Sequence, residues 1–291
     1  FGPSDQGRAG RGILAAVLLL HDVVATSAEV ASTRSRLAKQ ATLAALLRRL
    51  SPEEAPVAVA YLAGLMAQGR IGVGYALVSK LEPGPPPAAE TLGLLEVHRR
   101  LDELAAIAGP GSKKRREEAL GALFSRALPD ERRFLAGLLV GELRQGALGG
   151  VMTEAVAEAT GIDGGALRRA AMLAGDVSLV ATAALTQGAE ALARFELTLF
   201  RPVLPMLATP AEDVEVALER LGEAAFEVKL DGARIQVHKA GDEVRVYSRR
   251  RHEVTDRVPE IVEAVRGLGA RELILDGEAI ALRAAGSPHA Y

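Results

Sequence analysis

The chain has 291 residues, of which 49% are hydrophobic and 25% are charged, so it is long enough to bury the cores of two globular domains. It contains no cysteine, which excludes disulfides, thiolate metal sites and cysteine nucleophiles. A formal net charge of −2 argues against a uniformly basic protein that coats nucleic acid, and the apolar run Ile13 to Leu20 is too short to span a bilayer. These properties predict a soluble, cytoplasmic protein with no membrane partner.

Residues 18–198 are predicted to form an all-helical domain, and the glycine-rich, aperiodic residues 1–17 are assigned to an extension outside it. Apolar residues recur at intervals of three and four, which predicts helices with one apolar side. One such run consists of Ala41, Leu43, Leu46, Leu47 and Leu50. Ser51, placed three residues before Glu54, and Pro129 with Asp130 are typical of helix starts. Clusters of glycine and proline predict breaks at residues 82–87, 109–112 and 161–165.

The helical half also contains an internal repeat. Tyr61-Leu62-Ala63-Gly64 leads to Arg70-Ile71-Gly72, and Phe134-Leu135-Ala136-Gly137 leads to Arg144-Gln145-Gly146. The shared composition of helices rich in alanine and leucine is the simpler explanation of this repeat. Under a functional interpretation, arginine side chains and bare backbone N–H groups of glycine would contact nucleic-acid phosphates.

A basic cluster adds further candidates for contact with DNA. Lys113 to Arg116 is basic, although the neighbouring Glu117 and Glu118 are typical of a solvated helix face. The candidate DNA-binding residues are Arg70, Gly72, Gly74, Arg144, Gly146, Lys113 and Lys114.

After residue 198 the hydrophobic period changes from three or four to two. Phe226 to Leu230 alternates, Asp231-Gly232 is a two-residue hairpin signal, and Ala233 to His238 alternates again. Further strands are predicted at Glu243–Ser248, at Glu272–Leu275 and after Gly277, with a helix over Val258–Leu268. Residues 199–291 are expected to form the first part of a mixed, mostly antiparallel α/β domain. They are too few to wall a nucleotide pocket on all sides, so we expect the chain to be part of a longer one.

Lys229 lies with Glu227 on one face of the first predicted strand. A lysine in a pocket can attack the α-phosphorus of a nucleotide when its amine is unprotonated, which burial or neighbouring cations promote. The candidate cations are Arg234, Arg249 and Arg250. On the hairpin alone, an ordinary turn beside an exposed lysine is the simpler interpretation.

Four segments in order change this interpretation. Glu227 to Arg234 resembles the nucleotidyl-attachment motif of the covalent nucleotidyltransferase superfamily, in which a lysine precedes aspartate-glycine and an arginine. Tyr247 to Arg250 and Leu275 to Ala279 resemble the second and third ligase motifs, and Arg201 to Ala208 resembles the segment that enters the adenylation domain of ATP-dependent DNA ligases. Residues 18–198 resemble the helical DNA-binding domain that precedes the catalytic core in archaeal, eukaryotic and some bacterial members.

The resemblance implies an ATP-dependent DNA ligase that seals nicks in duplex DNA through AMP carried on Lys229. The implied catalytic residues are Lys229 and Asp231, the implied nucleotide-binding residues are Glu227, Lys229, Arg234, Arg249 and Glu278, and the implied metal ligands are Asp231 and Glu278. It further implies ATP and Mg²⁺ as cofactors, nicked double-stranded DNA as the partner, and a monomeric protein.

The departures from the family pattern leave alternatives open. The run Arg249-Arg250-Arg251-His252 is more basic than is typical, so either Arg249 or Arg250 could contact the nucleotide. The later motifs and the oligonucleotide-fold domain of the family have no match here, so activity of this chain alone stays open. An RNA ligase or capping-type nucleotidyltransferase would share the lysine motif, and a non-catalytic module that binds nicked DNA is a further interpretation.

Overall fold

The computed structural model describes residues 17–69, 71–81, 84–89, 92–143, 149–206 and 210–283. Within these ranges the helices are α1 (Leu20–Ser32), α2 (Arg36–Leu47), α3 (Ala55–Leu62), α4 (Tyr75–Val78), α5 (Leu94–Ala106), α6 (Ser112–Ser125), α7 (Pro129–Val140), α8 (Gly150–Thr160), α9 (Gly164–Ala174), α10 (Val177–Gln187), α11 (Val214–Leu221) and α12 (Pro259–Arg266). The strands are β1 (Ala233–Ala240), β2 (Glu243–Ser248) and β3 (Glu272–Ala279), and 3₁₀ turns lie at Ala189–Arg194 and Thr255–Arg257. The predicted order, helices followed by a mixed α/β part, is confirmed.

Close packing divides the chain into two compact units. The first comprises residues 1–164 and 181–191, and the second comprises residues 165–180 and 192–291. Most of α9 therefore lies in the second unit together with the sheet. The domain limits inferred from the sequence, at residues 17 and 198, stay a prediction.

The first unit is a helical bundle with an apolar core. In it α1 packs against α2, α3 and α7, and α2 packs along α8. Fully buried side chains from five helices meet in this core. They are Leu20, Leu43, Tyr61, Leu101 and Leu135.

The predicted apolar run is buried at three of its leucines, whereas Ala41 is exposed and Leu50 lies beyond the end of α2, where it is half-buried. The buried leucines are Leu43, Leu46 and Leu47. Ala41 precedes Leu43 by two positions, and a helix turns by about 100° per residue, so Ala41 faces the opposite side. The regular step of three and four residues places Ala44 in the core instead.

Both predicted helix starts form capping contacts. Glu54 accepts a hydrogen bond from the Ser51 N–H at 2.9 Å and donates its own N–H to Ser51 Oγ at 3.3 Å, just before α3. α7 begins at Pro129, where the missing N–H of proline removes no helical hydrogen bond. The side chain of Glu131 accepts the Leu128 N–H at 2.8 Å. These contacts satisfy N–H groups that a helix leaves without partners at its start.

The second unit contains a three-stranded antiparallel sheet in the order β2-β1-β3. Ile235 and Val237 of β1 pack with Val244 and Val246 of β2 against Val265 of α12. Successive side chains of a strand point to opposite faces, so the other face of β1 carries Arg234, Gln236 and His238. The sheet therefore has one apolar face on α12 and one polar face.

The hairpin predicted around Asp231-Gly232 is wrong. Residues 224–231 form no strand, and the sheet strand begins only at Ala233. β1 pairs with β2 along one edge and with β3 along the other, so neither edge is free to pair with residues 226–230. The central position of β1 thus overrides the local turn signal.

The two strands predicted on either side of Gly277 are a single strand, β3. Gly277 stands opposite Ile235 of β1, inside a continuous ladder of paired residues from 272 to 279. An aspartate-glycine pair favours a turn only where the ladder can end. Here the long pairing with β1 keeps the chain extended.

Candidate nucleotide-binding site

An open cleft of ≈ 640 Å³ lies in the second unit, at the start of β1 and the end of β2. Its walls carry four cationic side chains and two carboxylates. The lining residues are Met206, Lys229, Leu230, Asp231, Gly232, Ala233, Arg234, Ser248, Arg249, Arg250 and Glu278. The cleft brings together Lys229, Asp231, Arg234, Arg249 and Glu278 from three separate sequence segments. Glu227 is exposed and does not line it.

Lys229 reaches the cleft from the irregular segment before β1. Its Nζ lies 3.2 Å from Asp231 Oδ1, and the two side chains are 85% and 76% exposed. An exposed ion pair of this kind contributes little to stability. The cleft thus presents the Lys229 amine to solvent, with Arg234, Arg249 and Arg250 among its other walls.

Arg234 is the most firmly held cation of the cleft. Its Nε and Nη2 donate to the two carboxylate oxygens of Asp276 at 3.1 and 2.6 Å, and its Nη1 donates to the Met206 carbonyl at 3.1 Å. The hydrogen bond with Asp276 raises the pKa of Arg234, against an opposing effect of burial and with help from the charges of Asp276 and Glu278. Bidentate pairing fixes the plane of the guanidinium, so Arg234 is already oriented for an anion.

Gly232 fits where a side chain would not. A Cβ atom there would lie 2.4 Å from the Ala279 carbonyl oxygen and 2.8 Å from Ile280 Cγ2. The Gly232 N–H donates to Glu278 Oε1 at 3.0 Å. The close neighbour of this glycine is therefore β3.

The arginine run after β2 forms a tight loop. The Arg251 N–H donates to the Ser248 carbonyl at 2.7 Å, the Ser248 N–H donates to the His252 carbonyl at 2.9 Å, and Arg251 has a left-handed backbone with φ 64°. The Arg251 guanidinium donates to the Gly175 carbonyl. Arg249 and Arg250 are exposed and both line the cleft, so the choice between them stays open.

Sequence reasoning missed two groups that shape the cleft, Asp276 as the partner of Arg234 and the Met206 carbonyl. It also missed Gln236 and His238, which are 5% and 0% exposed on the polar face of β1. A usable signal was present, because Arg234, Gln236 and His238 place polar groups at every second position of a strand whose other face is apolar. Such a pattern on a central strand indicates polar contacts above the sheet.

The predicted metal ligands can be compared with what Mg²⁺ requires. Within the described ranges, no group of three or more His, Asp or Glu side chains is arranged to hold a metal ion. Asp231 lies beside Lys229, and Glu278 accepts from Gly232. Mg²⁺ commonly uses only one or two carboxylates together with substrate phosphates. Two carboxylates on the rim of a cationic cleft fit that mode of binding.

The loop that follows the first repeated helix exposes two glycines. Ile71 and Val73 are buried, while Gly72 and Gly74 between and after them are exposed. This alternation anchors the loop and leaves the bare backbone accessible. Arg70, Arg144 and Gly146, which belong to the same prediction, lie outside the described residues.

The two repeats are neighbours in the first unit. The rings of Tyr61 and Phe134 are 6.5 Å apart. A Cβ at Gly64 would lie 3.1 Å from the Leu143 carbonyl oxygen, and one at Gly137 would lie 3.1 Å from Leu143 Cδ2. Both glycines therefore allow the same leucine to approach, and an open cavity of ≈ 800 Å³ is lined by both repeats.

The basic cluster of α6 is divided between two roles. Arg115 donates to the Ala108 carbonyl and Arg116 donates to the Ile107 carbonyl, so both stabilise the loop before the helix. Lys113 and Lys114 are exposed, and Lys114 is 3.8 Å from Glu118. Of this cluster, the two lysines present their charges to solvent.

In the part of the chain that the structure describes, none of the helices combines the length and the apolar character needed to cross a membrane.

Comparison with known proteins gives two family matches. Residues 72–157 match the model described as DNA ligase N terminus, and residues 205–290 match the model described as ATP dependent DNA ligase domain.

Curated relatives align over 94% of this chain. A probable DNA ligase of Anaeromyxobacter sp. (strain Fw109-5) is 55% identical, one of Saccharopolyspora erythraea is 50% identical, and one of Streptomyces griseus is 49% identical. The aligned part covers 53%, 54% and 53% of these proteins respectively. The chain therefore spans about half the length of the curated relatives it matches.

Proposed function

The chain belongs to the ATP-dependent DNA ligase family, and from that premise we propose that its protein seals nicks in duplex DNA through AMP carried on Lys229. The relatives are named probable DNA ligases. The observation that carries the proposal is the cleft in which Lys229 shares its walls with Arg234, Arg249 and Glu278. A nucleophile among cations suits attack on a triphosphate.

The proposed first step transfers AMP to the lysine. The unprotonated Lys229 Nζ attacks the α-phosphorus of ATP, a P–N bond forms, and the P–O bond to pyrophosphate breaks. Arg234, fixed by Asp276, and one of Arg249 and Arg250 would neutralise phosphate charge. Mg²⁺ would screen the charge of the triphosphate and of the leaving pyrophosphate.

The later steps would use the same lysine as an AMP donor. A 5′-phosphate oxygen at the nick attacks the phosphorus of the adduct, the P–N bond breaks, and AMP moves to the DNA. The 3′-hydroxyl then attacks the activated 5′-phosphate, closes the strand and releases AMP. We assign Glu278 to the ribose hydroxyls and Asp231 to the metal or the nick hydroxyl, and we place the protein in the cytoplasm as a monomer.

The decisive experiment expresses the whole reading frame that encodes this chain and incubates the protein with Mg²⁺ and α-labelled ATP. We expect label that survives denaturing electrophoresis and a peptide containing Lys229 that is heavier by one AMP. Labelling by GTP in place of ATP would indicate a capping-type enzyme. Absence of label with either nucleotide would contradict the proposal, and nick sealing on a labelled duplex would complete it.

Asp276 is predicted to act through Arg234. Asp276→Ala removes the two carboxylate oxygens that accept from the Arg234 guanidinium and leaves the Met206 carbonyl in place. We therefore expect the rate of adenylation at limiting ATP to fall roughly tenfold, as for loss of a charge-assisted hydrogen bond. Asp276→Asn retains one acceptor and should lose less. The control is Glu154→Ala, which removes the carboxylate partner of Arg36 in the first unit. Equal rates for the Asp276 and Glu154 variants would rule out this role.

Lys113 and Lys114 are proposed to contact DNA phosphates. The double change to alanine should weaken binding to nicked duplex and reduce the slope of log affinity against log salt by roughly two, since each phosphate contact contributes about 0.9. Lys113→Arg with Lys114→Arg keeps both charges and should leave the slope unchanged. A slope that is the same in all three proteins would exclude these lysines from the interface.

A further inference from the structure

Residues 200–206, which we call the strap, cross the polar face of the sheet without forming a strand. The strap begins at Phe200, whose backbone is left-handed with φ 64°, an uncommon conformation for a residue other than glycine. It ends at Met206, whose carbonyl accepts a hydrogen bond from Arg234 in the cleft. The strap therefore connects directly to the proposed nucleotide site.

Three side chains of the sheet hold the strap by its backbone. His238 Nδ1 accepts the Phe200 N–H at 2.9 Å, and the Tyr247 hydroxyl donates to the Phe200 carbonyl at 3.1 Å. Gln236 Oε1 accepts the Val203 N–H at 3.0 Å, while Gln236 Nε2 donates to the Val203 carbonyl at 2.7 Å. The N–H and carbonyl groups of Phe200 and Val203, which a neighbouring strand could otherwise bond, are bonded here by side chains of the sheet.

The burial of these side chains argues for a specific task. Gln236, His238 and Tyr247 are only 5%, 0% and 5% exposed. Burying a polar group is unfavourable unless it forms hydrogen bonds, and here all three buried side chains form their hydrogen bonds with the backbone of the strap. The ring contacts between His238 and Tyr247, with centroids 5.1 Å apart, further fix the geometry of the donors and acceptors.

The hydrogen bonds between Gln236 and Val203 lie close to the cleft. Gln236 lies two residues beyond Arg234 on the same face, a distance of about 7 Å along a strand. The Val203 backbone is held by Gln236, and three residues later the Met206 carbonyl meets Arg234 Nη1 at 3.1 Å. A shift of the strap would therefore move the carbonyl that orients Arg234.

We propose that Gln236, His238 and Tyr247 are positioning residues for the adenylation of Lys229. By fixing the strap, they hold the Met206 carbonyl where it turns Arg234 toward the α-phosphate of the bound nucleotide. The inference rests on the proposed function and adds to it the residues, outside the cleft, on which the rate of lysine attack depends.

The protonation of His238 provides an internal switch for this arrangement. Nδ1 accepts the Phe200 N–H only when it carries no proton, and burial lowers the pKa of His238. Ile274 of β3 stands opposite His238, with Asp276 and Glu272 two positions to either side of it on the same face. On β2 the ionisable groups are Tyr247 and Arg245, with Glu243 paired to Arg245, and the strap carries Arg201. Among the described residues no carboxylate is hydrogen-bonded to His238.

The test compares His238→Asn with His238→Phe in the whole protein. Asparagine offers an oxygen near the position of Nδ1 and restores the acceptor, whereas phenylalanine keeps a ring without it. For His238→Phe we expect the maximal rate of Lys229 adenylation to fall roughly tenfold with a smaller change in KM for ATP, and for His238→Asn a rate within about threefold of the native one. Gln236→Met, which keeps the volume and removes both bonds to Val203, should resemble His238→Phe.

Two readouts separate positioning from stability. Hydrogen exchange at the Phe200 and Val203 amides should accelerate in His238→Phe and Gln236→Met, respectively, even where thermal melting is unchanged. Because burial lowers the pKa of His238, the native protein should lose adenylation activity through this group only at pH values under the usual histidine pKa of about 6.5, and His238→Asn should lose less activity there.

The possible outcomes separate a failure of the proposed function from a failure of this inference alone. A native protein that forms no adduct defeats the proposed function and this inference with it. A native protein that forms the adduct, with His238→Phe and Gln236→Met equally fast, defeats the inference alone. Slower adenylation in both asparagine and phenylalanine variants, with unchanged amide exchange, would also overturn it.

Discussion

Lys229→Ala is expected to abolish the transfer of AMP from α-labelled ATP to the protein. The variant lacks the amine that forms the P–N bond, and removal of a nucleophile lowers such rates by at least about a thousandfold. Because Lys229 is 85% exposed and its ion pair with Asp231 is solvated, the fold should be unaffected. Quantified label after denaturing electrophoresis measures the effect.

Two controls make the result specific to this lysine. Lys229→Arg keeps the positive charge but offers a guanidinium that stays protonated, so it should also form no adduct. Lys80→Ala removes an exposed lysine of the first unit and should label as the native protein does. An adduct that persists in Lys229→Ala would assign the chemistry to another residue.

Gly232→Ala is expected to destabilise the start of β1 and to abolish adenylation with it. The new Cβ would stand 2.4 Å from the Ala279 carbonyl oxygen, a backbone atom that cannot rotate away. Relief of the clash would separate β1 from β3 and break the hydrogen bond from the Gly232 N–H to Glu278. Overpacking of this kind typically lowers the free energy of unfolding by about 1–3 kcal/mol.

The matched control is Gly269→Ala. An added Cβ at Gly269 meets no atom within 4 Å, and its backbone is not left-handed. We expect a change in the free energy of unfolding within about 0.5 kcal/mol. Denaturant unfolding followed by circular dichroism, with hydrogen exchange of the β1 amides, compares the two variants. If both unfold at the same denaturant concentration, the close fit of Gly232 has no energetic significance.

The helical half was predictable because its period reports burial directly. Leu43, Leu46 and Leu47 recur as one side of a helix requires, and they are buried. Capping signals at Ser51 and Pro129 are equally local and were read correctly. The hairpin at Asp231-Gly232 failed because strand pairing is a long-range property, decided by β2 and β3.

Some residues of the candidate site could likewise be identified from the sequence, and others depend on the pairing of strands. The resemblance to the ligase motifs identified Lys229, Arg234 and Glu278, which the fold gathers around one cleft. Asp276 could not be assigned to Arg234 from spacing, since the pair is 42 positions apart and depends on the register between β1 and β3. Glu227 was placed on one face with Lys229 by an alternation that belongs to no strand here, and its nucleotide-binding role, implied by the resemblance, stays a prediction.

The chain contains four tyrosines and no tryptophan, so tyrosine fluorescence can follow the hydrogen bond from the Tyr247 hydroxyl to the Phe200 carbonyl. Within these 291 residues no indole receives energy from tyrosine, and tyrosine emission depends on the hydrogen bond that the phenol hydroxyl donates. Tyr61 and Tyr75 lie in the first unit, so in these 291 residues Tyr61→Phe with Tyr75→Phe would leave Tyr247 and Tyr291 as the emitting rings. The intensity and lifetime of native fluorescence would then report, without any attached dye, whether residues 200–206 are seated.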